Sequence, residues 1–166
     1  MNTAVFVYDT GMLLALERQD KAALVLHTVL TERDHPPVVP LPVLAQGWRP
    51  GRWTPLSRVV PQCVVFGART TEAWGCGVCQ AGHVQEDAKR AGQLLAMATL
   101  PVEKRPDAVD ALAVVIAARH PEAVLVTSDP RDLVAYRDVL GGGADGVRVL
   151  PVPDVPDFIA GKRVLV

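Results

Sequence analysis

A chain of 166 residues is long enough for one domain with a substantial core and short for two. Hydrophobic residues at 49% and charged residues at 21% exclude a disordered chain, and aromatics at 5% leave Val, Leu and Ala to build the core. The formal net charge of −1 projects no global basic field toward nucleic acid, although a cluster of carboxylates would mask a local basic rim.

Thr3 to Tyr8 (TAVFVY) reads as a short strand stopping at Asp9, with Thr10 and Gly11 after it. Residues 12–33 read as helical, in two pieces broken near Gln19 and Asp20. Val38-Val39 is a second short strand. Pro40 and Pro42 suit the first turn of a helix carrying Val43 to Trp48, which Pro50-Gly51 ends. Arg52 to Val60 is read as another short helix. Residues 61–83 mix β-like triplets with four glycines, giving one or two short strands and an irregular loop.

Val84 to Met97 returns to helical spacing, with Ala88, Ala91, Leu94 and Leu95 on one face. A further helix is expected from about Pro106, at its first position, to Arg119, with Pro121 beyond its end. Ala123 to Thr127 (AVLVT) is apolar enough for a central strand. It ends at Ser128-Asp129-Pro130, where Ser128 or Asp129 can cap a helix over Asp132 to Leu140. GGGADG (141–146) is a turn and Val147 to Leu150 a last strand, so residues 1–150 form one domain. Residues 151–166, interrupted by prolines, form a tail expected to pack on the surface.

Strands alternating with helices imply an α/β fold of three layers, with helices flanking a central, mostly parallel sheet. Ligands of such sheets bind beyond the carboxyl ends of the strands. Asp9 and Asp129 each leave the end of a strand, so both carboxylates should face one crevice. Asp107 and Asp110 share a face near the start of a helix that is otherwise apolar nearly all round, where an unpaired carboxylate is costly. Singly, Asp9, Asp107 and Asp129 are also ordinary turn or cap residues. Together they are oxygen donors of the type hard divalent cations select, and metal-assisted phosphodiester hydrolysis needs such a set. No phosphate-cradling loop competes, because GGGADG lacks the Lys-Ser/Thr ending.

Cys76, Cys79 and His83 form C-x₂-C-x₃-H, a zinc-like spacing that needs a fourth ligand from Cys63 or a distant His. The alternative is a set of small buried cysteines. Three cysteines, an odd number, argue against a disulfide framework. No apolar run approaches the ~20 residues of a membrane span, and MNTAVFVYDT lacks the features of a signal peptide. A cytoplasmic location is therefore expected.

YDTGMLLALER (8–18), VVPLPVLAQGWRPG (38–51), DAVDALAVVIAARH (107–120) and VLVTSDPRDL (124–133) follow one another in an order that resembles the PIN domain, particularly the VapC-type toxin ribonucleases. The resemblance covers residues 4 to 150, with 61–83 poorly matched. It implies an endoribonuclease that hydrolyses RNA with Mg²⁺ or Mn²⁺. In that comparison Asp9 matches the first acidic ligand, Asp110 the third and Asp129 the fourth, with Asp107 and Asp132 as additional metal ligands. Gln46 stands where the family usually has Glu, which implies either a slower nuclease or a module that only binds RNA or protein. Arg49, three residues after Gln46, is a candidate for touching substrate phosphate. The resemblance also implies a homodimer and a VapB-like antitoxin as partner.

Overall fold

The computed structural model describes residues 4–48, 54–67 and 76–162. Strand β1 (Val5–Tyr8) leads into α1 (Thr10–Glu17) and α2 (Lys21–Glu32). The break between these helices falls at Gln19, whose φ of 57° lies in the left-handed region, and Asp20 then caps α2 by accepting from the amides of Ala22 and Ala23. Strand β2 (Val38–Pro40) feeds α3 (Leu41–Gly47), which Pro42 opens. Next come α4 (Leu56–Val59), a 3₁₀ turn over Val60–Gln62, β3 (Val64–Phe66) and α5 (Gly77–Ala81). The segment read as a mixed loop thus contains one strand and one short helix among its described residues.

Helix α6 (Gln85–Met97) packs on α7 (Ala108–Ala118), which precedes β4 (Ala123–Thr127), α8 (Pro130–Asp138) and β5 (Val147–Pro151). Helix α7 starts later than expected. Pro106 stays outside it, and Asp107 caps it by accepting from Val109 N at 2.7 Å.

The five described strands form one sheet in the order β3-β2-β1-β4-β5, every pair parallel. All five residues of β4 are buried, so the side chains it sends to both faces are covered. The molecule is therefore an α/β fold with a parallel sheet between helices, as the alternation of elements predicts. Its core is aliphatic: Leu13, Leu16, Leu26, Leu56, Leu94, Ile116, Leu125 and Leu133 are almost wholly buried. The chain after β5 continues as α9 (Val155–Ile159) against α2, and inserts Val152 and Val155 into the core. Among the described residues, no helix is long and apolar enough to cross a membrane.

Strand order reverses between β1 and β4: β2 and β3 lie on one side, β5 on the other. Crevices open at such points, beyond the strand ends. Tyr8 pairs with Val126, so Asp9 and Thr127 come off the sheet side by side.

Candidate active site

A cleft of about 290 Å³ opens at this reversal, lined by Asp9, Asp107, Asp110, Asp129 and Asp132 together with Gln46 and Lys104. The five aspartates and the glutamine singled out in the sequence therefore face one space. Arg49 lies outside the described residues.

Asp9 is 4% exposed and caps α1, accepting from Met12 N at 2.7 Å and from the Thr127 hydroxyl. Burial dominates these hydrogen bonds and pushes its pKa up to about 7. The first turn of α1 can lie against the β4–α8 turn only because residue 11 is glycine. A Cβ there would stand 2.9 Å from the backbone nitrogen of Ser128. Gly11 thus lets the start of α1 close against the β4–α8 turn, beside the paired ends of β1 and β4.

Asp110 sits in the first turn of α7. Burial is again the main cause lifting its pKa to about 7, with further repulsion from Asp107, Asp9 and Asp132. Asp107 divides its carboxylate: one oxygen caps α7, the other accepts from Gln46 Nε2 at 2.9 Å. Its backbone N–H donates to the Tyr136 hydroxyl at 3.0 Å, which fixes the start of α7 against α8.

Asp129 occupies the cap position of α8 but makes no side-chain capping bond there. Its carboxylate accepts instead from Lys104 and lies 3.4 Å from Arg131 Nε. The Lys104 ammonium, followed by Arg131, holds the Asp129 carboxyl below its ordinary range. Lys104 also lies 3.2 Å from Asp132, whose other oxygen, Oδ1, is buried without a hydrogen-bond partner. An orphaned carboxylate oxygen at the wall of an acidic cleft is a donor with room for a cation.

Gln46 binds on both sides: its Oε1 accepts from the Thr10 hydroxyl while its amide donates to Asp107. A glutamate could not make the second bond. Thr10, Thr127 and Tyr136 were not singled out in the sequence, because hydroxyls beside strand and helix ends carry no distinguishing pattern. Lys104 is a basic residue in a loop, whose position in the cleft depends on the fold.

The donor set fits a hard divalent cation: carboxylates of unequal protonation and one unpartnered buried oxygen. Among the described residues, however, no three carboxylate oxygens lie within 4.8 Å of one another. Lys104 pairs with both Asp129 and Asp132. Mg²⁺ and Mn²⁺ retain several waters, so carboxylates at this spread would hold such an ion partly through water. No family model, curated protein or solved structure matches the chain.

The cysteines occupy a different place. Cys63 lies between the 3₁₀ turn and β3 and donates to Val59 O, and burial pushes its thiol up to about 12. Cys76 and Cys79 face His120, not the His83 that their spacing suggests. His83 stacks edge-on against Phe66, ring centroids 4.9 Å apart.

Proposed function

We infer that the chain is a metal-dependent endoribonuclease of PIN type, hydrolysing RNA phosphodiester bonds with Mg²⁺ or Mn²⁺. The observation that carries this reading is the convergence of five aspartates on one cleft at the strand-order reversal. Asp9, Asp110 and Asp129 would hold the metal, with Asp107 and Asp132 as additional oxygen donors. The bound cation would supply a hydroxide nucleophile and neutralise charge on the phosphate. Lys104 is placed to offset charge on Asp129 and Asp132 and to meet an incoming phosphate at the rim.

A second reading, a module that binds RNA or protein without cutting it, rests on Gln46. Its neutral amide is committed to Thr10 and Asp107, so one charge that a Glu would bring is missing. Under the nuclease reading, a VapB-like antitoxin would act by inserting an Arg or Lys among the carboxylates, a position that rewards a cation.

Cleavage of a mixed RNA substrate with Mn²⁺, Mg²⁺ or EDTA separates these readings. Nuclease action predicts cleavage that EDTA abolishes and Mn²⁺ restores. Undiminished cleavage in excess EDTA would sink the metal mechanism, and RNA retention without cleavage in Mn²⁺ would select the binding module.

A further inference from the structure

Cys76 and Cys79 stand at the start of α5, and His120 follows directly after the end of α7. The two sulfurs and a ring nitrogen of His120 all lie within 4.8 Å of one another. Cys79 Sγ and His120 Nε2 are 3.4 Å apart. Tetrahedral zinc, with Zn–S ~2.3 Å and Zn–N ~2.0–2.1 Å, places its sulfur and nitrogen ligands about 3.5 Å apart. The observed edge has that length.

The imidazole is also held for coordination. Its Nδ1 lies 3.0 Å from the Ile116 carbonyl, to which it donates, leaving the Nε2 lone pair turned toward the sulfurs. Metal-bound histidines are oriented by this kind of bond. His120 is 4% exposed, so its ring is held in place by the packing around it. The Cys79 backbone N–H points at Cys76 Sγ from 3.4 Å, which holds the two cysteines on one turn at the start of α5.

We propose that Cys76, Cys79 and His120 form a zinc site, its fourth position open to water, that fastens α5 to the end of α7. Two thiolates and an imidazole select a borderline-soft ion over Mg²⁺ or Mn²⁺. His120 comes ten residues after Asp110, roughly 15 Å further along the helix axis, so the site is separate from the carboxylate cleft. Among the described residues no further Cys, His, Asp or Glu joins the three, which leaves the open position. The zinc ties the segment between β3 and α6 to the helix that carries Asp107 and Asp110 at its other end.

The test is an anaerobic Co²⁺ titration of the reduced, metal-stripped full chain, followed by displacement with Zn²⁺. The expected result is a thiolate-to-cobalt charge-transfer band that saturates at about one ion per chain and collapses when zinc is added. Cys76→Ser, at a half-buried position, and His120→Asn should each weaken binding more than roughly tenfold. His83→Asn should leave it unchanged. The proposal is overturned by absence of the band in the reduced native protein, by unaltered binding in Cys76→Ser, or by loss of binding in His83→Asn. A Cys76–Cys79 disulfide recovered from protein kept under reductant would overturn it as well. If His120→Asn fails to fold, Cys76→Ser still decides whether the sulfurs bind.

Discussion

Gln46 donates from Nε2 to Oδ2 of Asp107 across 2.9 Å, joining the helix after β2 to the cap of α7, 61 residues away in the chain. The neutral amide gives Asp107 a donor where a glutamate would add a further negative charge. Gln46→Glu should therefore act in two directions. Without metal, the lost donor and new repulsion should lower stability by on the order of 1–2 kcal/mol, or several degrees in Tm. With Mn²⁺, the added ligand charge should tighten binding. Thermal melts and titration calorimetry of both proteins measure the two effects. Unchanged Mn²⁺ affinity would place residue 46 outside the coordination sphere.

Asp110→Asn and Asp107→Asn should differ. Asp110 is lifted to about 7 by burial and by its acidic neighbours, so removing its charge should stabilise the metal-free protein at pH 8 while cleavage is lost. Asparagine at 107 can still cap α7 and should retain more activity. Equal losses of cleavage would show that both aspartates serve the metal alike.

The same shifts set a pH dependence. Folded Asp9 and Asp110 keep protons up to about pH 7 that the unfolded chain releases near 3.8. The folded state binds more protons in that interval, so these groups lower stability as pH rises from about 4 to 7, and the loss is complete above it. Asp129, held below its ordinary range, works oppositely: its contribution is present at neutral pH and fades in acid. Metal-free Tm should fall between about pH 5.5 and 8, and Mn²⁺ should offset the fall because it competes with those two protons. Melts at both pH values, with and without Mn²⁺, check this; an Mn²⁺ affinity independent of pH would contradict it.

The homodimer that the resemblance to PIN toxins implies would use α2. Ala23, Leu26 and Leu30 face the core, yet Val25 on the same helix is 50% exposed, beside Ile159 of α9 at 41%. Together with Ala22, Val155 and Pro156 they line an apolar groove. A homodimer through this face is expected, and Val25→Asp should convert it to monomer with little change in cleavage. Light scattering at tens of micromolar measures it, and a strict monomer would make Val25 an ordinary exposed residue.

Local pattern alone determined the alternation of strands and helices, because side-chain periodicity, caps and prolines act within a few residues. Asp9 and Asp129 were legible as crevice residues for the same reason: each lies just beyond a strand, and a parallel sheet sends such residues to one edge. Asp110 stood out because a carboxylate interrupts an apolar helix. The partnerships needed the tertiary structure. Lys104 meets Asp129 across 25 residues and Cys79 meets His120 across 41, and neither pairing leaves a trace in local spacing. His83 had the better spacing to the cysteines, but α5 packs on β3 and its Cys79 meets His120 beyond the end of α7 instead. Spacing limits which side chains can share a turn; only the packing of distant elements decides which share a cleft.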